Sequence, residues 1–407
     1  MNRFRRPHPV DGPPRVLVAG GGVAALEACL ALRALVGERL RITLLAPGPA
    51  FVHRPAATPD PLAEASLRRL PLSRIAASTG AELHVGRLVA VEPQAACAFT
   101  EAGDELPYDA LVVAVGALPT VWLDRAVPVG DRSREPELRM LLHDLERGAA
   151  TAAAFVAPPG PWWRLELYEL ALEAAVLVRR SRRAAELTLV TPEEAPLAIL
   201  GPRVAAGVRH TLASHGVRVI PAAYARSFAG GRLRLSPGDR HIAVDRVAAA
   251  TRLRGPGLAG VPCDADGFLP ADRLGRVRGA DGVYAAGDCA SFPVKHASLA
   301  AQQADAAASA IAARLGVRAT RTPFKPVLCC MLPARLRWYV EAPISGGQGD
   351  AAALSPHPLW SPATRFGSRF LSPYLAKHEP RSDASGHPRT SLEQVRRAFR
   401  RLEDARS

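Results

Sequence analysis

The sequence has very little lysine, no cysteines at the paired spacing of metal ligands and no long apolar run. Only three of its 52 basic residues are lysines, and its six cysteines are scattered. Without ligand spacing or pairing, the cysteines predict neither a zinc site nor a disulfide framework. No run of about eighteen apolar residues occurs, so we expect no transmembrane helix. The basic start, MNRFRRPHPVDGPP, lacks the apolar core of a signal peptide.

What remains is a long, arginine-rich chain of ordinary hydrophobicity. Its 407 residues and 48% hydrophobic content suffice for two or three domains. The net charge of +14 bears on association and not on fold. Basic residues are not interleaved with aromatic ones, so we expect no nucleic-acid partner. We expect a cytoplasmic protein, and a peripheral contact at the inner face of the membrane stays open.

A βαβ unit opens the chain. The run RVLVA predicts a buried strand, GGGVAALEACLALRAL a turn into a helix, and RITLL a second strand. Gly20, Gly22 and Ala25 have the spacing that admits a tight turn, a close diphosphate and close helix packing. The second strand ends at Ala46, where an acid usually binds the adenosine ribose, and Arg54 is a candidate to replace it.

Two later stretches extend this pattern. ELPYDALVVAVGALP predicts an apolar strand that leaves the sheet at Gly116. GVYAAGDCA predicts another strand, ending at Gly287 and Asp288, and a long alanine-rich helix follows.

In this order, the three motifs resemble the FAD-binding core of pyridine nucleotide-disulfide oxidoreductases. FVHRP, the helix with AQQA and the hydrophobic C-terminal segment resemble the branch of sulfide:quinone oxidoreductases, flavocytochrome c sulfide dehydrogenase subunits and type II NADH:quinone oxidoreductases. The resemblance covers about residues 15–375. It implies a two-Rossmann α/β fold that binds FAD; the residues it assigns to the cofactor are Gly20, Gly22, Ala25, Arg54, Pro55, Gly116, Gly287, Asp288 and Ala297.

The resemblance also gives roles to the residues near the long helix. Asp288 would accept hydrogen bonds from ribityl hydroxyls, although a turn or helix cap is its plain alternative. The helix starting near Lys295 would aim its amides at the flavin pyrimidine edge. Lys295 is therefore a candidate catalytic residue.

The middle of the chain predicts a second Rossmann-like unit with a defective turn. After the strand AAAFVA, the turn carries Pro158, Pro159 and Pro161, which donate no amide hydrogen bonds, and then Trp162 and Trp163. We expect ordinary NAD(P)H binding to be lost. The alternative is atypical binding, with Glu193 or Glu194 near the adenosine ribose.

Candidate catalytic residues lie around this turn and after the long helix. By resemblance, Glu169 approaches the flavin N5 region and handles a proton; otherwise it is a helix-surface carboxylate. Sulfide-oxidising relatives place redox cysteines in the turn and after the long helix. This chain has only the second, Cys329 and Cys330 in FKPVLCCML, and two apolar strand residues are the plain alternative.

The C-terminal part predicts a cap. Its apolar, aromatic segment resembles one that shields the flavin and meets the membrane in quinone-reducing relatives; it comprises Leu359, Trp360, Phe366, Phe370, Leu371, Tyr374 and Leu375. Residues 378–390 predict a linker. TSLEQVRRAFRRL, at 390–402, predicts a basic amphipathic helix that either packs on its own domain or lies on a membrane.

We therefore predict a discontinuous FAD domain of residues 1–118 and 252–325, a degenerate NAD(P)-binding-like domain of 119–251, a cap of 326–377, and a linker with terminal helix of 378–407. The predicted function is flavin-dependent transfer of electrons from a small donor to an acceptor such as a quinone. Alternatives are a quinone-linked NAD(P)H dehydrogenase and a redox-inactive flavin sensor that binds a partner. No metal site is predicted.

Overall fold

The computed structural model describes residues 12–53, 67–160, 165–317, 320–332, 338–344 and 352–378. Several predicted features lie outside these ranges: Arg54, Pro55, Pro161, Trp162, Trp163 and the terminal helix at 390–402.

Seven helices and 23 strands are formed by the described residues. The helices are α1 (Val23–Val36), α2 (Leu72–Thr79), α3 (Glu135–Arg147), α4 (Leu165–Arg180), α5 (Pro202–Ser214), α6 (Ala297–Arg314) and α7 (Leu371–His378). The strands are β1 (Arg15–Ala19), β2 (Arg41–Ala46), β3 (Ala50–His53), β4 (Arg68–Pro71), β5 (Ala81–Val85), β6 (Leu88–Glu92), β7 (Cys97–Thr100), β8 (Glu105–Pro107), β9 (Ala110–Val113), β10 (Leu118–Thr120), β11 (Val127–Val129), β12 (Ala152–Val156), β13 (Glu186–Val190), β14 (Val217–Ile220), β15 (Tyr224–Ala229), β16 (Arg232–Ser236), β17 (Arg240–Ala243), β18 (Arg246–Ala250), β19 (Arg252–Arg254), β20 (Val283–Ala285), β21 (Val327–Leu332), β22 (Trp338–Pro343) and β23 (Ala353–Ser355).

Two five-stranded parallel sheets organise the chain. The first has the order β20-β9-β1-β2-β5, and the second β11-β18-β12-β13-β14. Their central strands, such as β1, β9 and β12, are short, apolar and almost fully buried, as in parallel sheets covered on both faces. These two Rossmann-like sheets confirm the predicted α/β class.

The first sheet takes β20 from beyond the second sheet, so its strands come from two separate segments. Near the points where the chain passes between the sheets, β10 pairs antiparallel with β19, with Leu118 opposite Arg254. The boundaries at residues 118 and 252 stay predictions.

Small residues bring α1 and α6 close together beside the first sheet. Ala28 and Ala31 on α1 and Ala304 and Ala308 on α6 are all buried in one apolar cluster. Alanine faces let helix backbones approach closely, and α6 is thereby held with its N-terminus near the carboxyl ends of the strands.

The C-terminal helix α7 packs onto the same cluster. Phe366, Leu371 and Leu375 are buried there. The first turn of α7 is anchored by Glu27 of α1, whose carboxylate accepts hydrogen bonds from the amides of Phe370 (2.8 Å) and Leu371 (2.6 Å). Burial raises the pKa of Glu27, and these amides oppose that rise.

We expect Glu27→Ala to destabilise the protein by about 2–3 kcal/mol, because two amides at a helix start would lose their buried side-chain acceptor. Urea unfolding at pH 6 measures this change. Glu27→Gln keeps one acceptor oxygen and should lose less. An unchanged free energy of unfolding in both variants would show that α7 does not depend on this anchor.

Candidate functional site

Three loops meet at one edge of the first sheet. Because β1, β9 and β20 are parallel, the residues that follow them all emerge at the same edge. These residues are the turn at Gly20, the bend at Gly116 and the pair Gly287 and Asp288. The three predicted glycine motifs are thus brought together.

The first turn is shaped for close backbone approach. Gly20 has φ +141°, and a Cβ there would lie 2.1 Å from the carbonyl oxygen of Ala114. Gly22, the residue before α1, is exposed, and a Cβ on it would have no neighbour within 4 Å among the described residues. Gly20 therefore allows the turn to pack closely against the backbone after β9, and Gly22 borders open space.

The start of α1 suits an anion. No side chain caps the helix, and its first turn has no acidic residue. The backbone amides and the positive end of the helix dipole therefore face the open space at Gly22, which is the arrangement that binds a diphosphate. Ala25 is fully buried one turn on, where it packs the helix against the sheet. These residues fit the diphosphate of FAD.

Gln303 holds the turn after β20. Its buried side-chain oxygen accepts a hydrogen bond from the amide of Gly287 (2.7 Å). Gly287 has φ +82°, and a Cβ there would be 3.1 Å from the Cβ of Ala24, so the turn is close to the start of α1. Asp288 follows it, half-buried.

Lys295 lies in the same corner. Its ammonium group donates a hydrogen bond to the carbonyl of Ala290 and sits 4.2 Å from the centre of the Phe268 ring. Burial lowers the pKa of Lys295 to about 8, and the negative charge of Asp288 opposes that shift. At neutral pH Lys295 is mostly charged and close to its loss of charge.

The N-terminus of α6 begins at Ala297 and is capped by His296. The His296 Nδ1 accepts a hydrogen bond from the Ser298 amide (3.2 Å). Burial, followed by the charge of Arg365, lowers the pKa of His296 to about 4. His296 is therefore neutral at physiological pH, and its imidazole accepts the hydrogen bond of one amide at the start of the helix.

The second sheet has a different environment at its corresponding edge. After β12, Pro158 is buried and Pro159 half-buried. After β13, Glu193 turns inward: its carboxylate accepts hydrogen bonds from the Tyr168 hydroxyl and from the Leu197 amide (3.3 Å). Burial raises the pKa of Glu193. The acid that would bind a ribose is occupied by the protein itself, and Glu194 beside it is exposed.

Glu169 faces the C-terminal cap. Its carboxylate accepts two hydrogen bonds from one nitrogen of Arg365, at 2.7 and 2.9 Å. Both side chains are largely buried, with 13% of Glu169 and 22% of Arg365 exposed. Glu169 is thus a partly buried, paired carboxylate, which differs from the alternative of a helix-surface group.

The two adjacent cysteines lie on opposite faces of one strand. On β21, Cys330 is fully buried in the core cluster that includes α4. Cys329 points the other way, toward Gly367, where a Cβ would be 3.0 Å from the Cβ of Cys329. Burial raises the pKa of the Cys329 thiol to about 12 and also raises the pKa of Cys330. Both are free thiols, protonated at neutral pH.

Three contributors were missed by sequence reasoning: Arg365, Gln302 and Gln303. Gln302 clamps β21 to α6, since its side chain donates to the Val327 carbonyl (2.6 Å) and accepts from the Val327 amide (3.1 Å). The AQQA motif signalled both glutamines without giving their roles. Nothing local to Arg365 signals its partner, which is 196 residues away.

The described ranges contain neither a metal-binding cluster nor a membrane-spanning helix. No cluster of three or more histidine, cysteine or acidic side chains could hold a metal ion there. No described helix is long and apolar enough to span a membrane.

Comparison with known proteins finds one matching family model and several structures of similar fold. Residues 169–304 match the family described as pyridine nucleotide-disulphide oxidoreductase. A search of curated proteins finds no match.

Several solved structures share the fold at low sequence identity. The sulfide:quinone oxidoreductase from Aquifex aeolicus has a TM-score of 0.75 and 17% identity, over 84% of this chain and 86% of that one. The ferredoxin reductase for the CYP199A2 system from Rhodopseudomonas palustris has a TM-score of 0.63 and 19% identity, over 82% and 83% of the chains. An NAD-dependent persulfide reductase from A. fulgidus has a TM-score of 0.57 and 18% identity, over 81% and 64%. The chain thus matches this family model over residues 169–304 and shares its fold with these solved structures.

Proposed function

We propose that the protein passes electrons from a small donor other than NAD(P)H, through FAD, to an acceptor such as a quinone. The observation that carries this proposal is the inward-facing Glu193, which is held by Tyr168 and the Leu197 amide. A dinucleotide at this sheet would have to do without the strand-end acid, and without the amides that the prolines at 158 and 159 lack.

The FAD would be held by the three loops at the edge of the first sheet. Gly20, Gly22, Ala25 and the start of α1 would bind the diphosphate. Gly116, Gly287 and Asp288 would border the ribityl chain, and Ala297 would present the N-terminus of α6 to the ring. When bound, the flavin supplies the ability to accept two electrons from one molecule and return them to another.

The chain's own residues would manage protons and water at this site. We assign proton handling to Glu169, which the fold holds in a largely buried place where water is scarce. Lys295 would place a positive charge near Asp288 and the start of α6. Cys329, on the partly exposed face of β21, would contact the donor, whereas Cys330 on the opposite face is buried in the core.

Hydrosulfide is the donor we favour, since the fold has TM-score 0.75 to a protein named for oxidising sulfide and reducing quinone. Oxidation of hydrosulfide to the level of elemental sulfur releases two electrons and one proton; reduction of a quinone to a quinol takes two electrons and two protons. The acceptor step therefore needs protons delivered to the site, a role that suits Glu169. A quinone acceptor would also bring the chain to a membrane surface, and we propose a peripheral contact there.

The first experiment is anaerobic mixing of the yellow protein with sulfide, NADH or NADPH while flavin absorbance is followed. We expect sulfide to bleach the flavin within seconds and both nucleotides to leave it oxidised over minutes. Fast bleaching by a nucleotide would overturn the proposal and make this an NAD(P)H dehydrogenase. If none of the three bleaches the flavin, a sensor that binds a partner becomes the better explanation.

A further inference from the structure

We propose that Arg365 of the C-terminal cap is the positioning residue for Glu169, so that the cap completes the proton-handling site. This inference rests on the proposed function, in which Glu169 moves the proton. The two residues are 196 positions apart and come from different parts of the chain, α4 and the segment before α7.

The contact is built to hold the carboxylate in one place. One guanidinium nitrogen bridges both Glu169 oxygens, at 2.7 and 2.9 Å. With 13% and 22% of the two side chains exposed, water and salt screen the pair much less than a surface ion pair. Moving the carboxylate away would leave a buried, unpaired arginine, which is costly.

The backbone at Arg365 is fixed from both sides, so its side chain starts from a defined place. The Arg365 carbonyl accepts a hydrogen bond from the Met331 amide (3.3 Å), and Phe366 bridges to Cys330 on β21. Before it, the Thr364 carbonyl accepts from the Trp360 indole (3.2 Å). The Thr364 hydroxyl also donates to the Phe366 carbonyl (2.7 Å). A fixed backbone reduces the entropy lost when a long side chain is held in one geometry.

Two titratable groups near the pair respond to its charges, although burial has the larger effect on each. His296, at the start of α6, is neutral because burial and Arg365 lower its pKa to about 4. The nearby thiol of Cys330 is protonated because burial and the charge of Glu169 raise its pKa. Arg365 and Glu169 form the ion pair of this group, with 2.7 Å between the guanidinium nitrogen and the nearer carboxylate oxygen.

Loss of Arg365 should be visible at His296 without any turnover. In Arg365→Gln the carboxylate of Glu169 would lack its cation, and His296 would lose the positive charge that disfavours its protonation. We expect the His296 imidazole to titrate at a pH about one unit higher or more, measured on its ring nitrogens by NMR. Arg365→Lys keeps the charge and should leave the titration nearly unchanged.

Kinetics then separates positioning from folding. For Arg365→Gln we expect the rate of flavin reduction at saturating sulfide to fall by about tenfold or more, with a small change in KM and a shifted pH profile. Arg365→Lys should recover part of the rate. Arg314→Gln is the matched control, since it also removes one arginine of an ion pair, that with Asp281 at 2.9 Å, far from the cap. It should change neither readout.

The outcomes distinguish this inference from the function on which it rests. If Glu169→Gln lowers the rate while Arg365→Gln leaves both the rate and the His296 titration unchanged, the role of Arg365 is overturned and that of Glu169 stands. If Glu169→Gln leaves the rate unchanged, the proposed role of Glu169 itself fails. A loss of rate in Arg365→Gln with an unmoved pH profile and His296 titration would mean a purely structural role and would also overturn the inference.

Discussion

Replacing Gly20 with alanine should abolish the stable fold, whereas the same change at Gly22 should leave the fold intact and weaken FAD binding. At Gly20, φ is +141° and the new Cβ would lie 2.1 Å from the Ala114 carbonyl oxygen and 2.6 Å from its carbon. The backbone directly after β9 cannot move aside, so we expect a loss of about 3 kcal/mol or more, or no soluble protein.

At Gly22 the protein itself offers no obstacle. Its φ of −98° suits alanine, and nothing described lies within 4 Å of the new Cβ. Loss of a glycine before a helix costs only about 0.5–1 kcal/mol. The methyl group would, however, occupy the open space at the start of α1, where the diphosphate is placed. We expect at least a tenfold weaker FAD affinity.

The ratio of flavin to protein after purification and the melting temperature measure the two effects separately. Gly37→Ala is the control for backbone strain alone, because Gly37 also has positive φ, +67°, but open space around it. It should cost about 1–3 kcal/mol and keep the flavin. Full flavin content in Gly22→Ala would show that the diphosphate lies elsewhere.

The local pattern was enough to predict the elements that carry the cofactor site. RVLVA, ALVV and VYA are apolar runs bounded by glycine turns, and all three form neighbouring buried strands of one sheet. Their parallel order then places the following glycines at one edge. A strand that is buried on both faces is recognisable in the sequence as an apolar run, and the turn after it is recognisable by its glycines.

The contacts that close the site could not be predicted in this way. Glu27 is an acid within the apolar run LEACLAL, a pattern that gives no partner, and it binds amides 343 and 344 residues away. Arg365 looks like any other arginine of an arginine-rich chain. Such pairs depend on where the cap is packed, and only the fold brings them together.

The C-terminal aromatic segment shows a similar limit. Apolar residues that meet a membrane and apolar residues that cover a neighbouring helix have the same sequence pattern. In the structure Phe366, Leu371 and Leu375 are buried against α1 and α6, so this part of the segment is used within the chain. Glu27 of α1 holds the start of α7 in place by accepting hydrogen bonds from its first amides.

The same corner should make stability depend strongly on pH through Asp305. Burial raises the pKa of Asp305 from 3.8 to about 8; the charge of Glu27 adds to this shift, and the charge of Arg369 opposes it. Within the described ranges, its buried Oδ1 has no hydrogen-bond partner. The folded state therefore holds a proton that the unfolded chain would release above pH 4.

The sign of the effect follows from that proton. Protonation of Asp305 contributes fully to the free energy of unfolding below about pH 4. This contribution is lost as pH rises through about 8, where the folded protein also releases the proton. Asp305→Asn keeps the shape without the ionisable group, so its stability should not fall over this range. We expect the variant to gain on the order of 3 kcal/mol on the parent between pH 5 and pH 8.5.

Chemical denaturation across this pH range makes the measurement, with Asp281→Asn as the control. Asp281 is an exposed carboxylate whose pKa is lowered by Arg314, so its removal should cost little and in the opposite direction. Parallel pH curves for parent and Asp305→Asn would mean that Asp305 has a partner that satisfies its charge. If Glu27 contributes as the geometry requires, the gain from Asp305→Asn should shrink in the Glu27→Gln background, because one of the two like charges is then already absent.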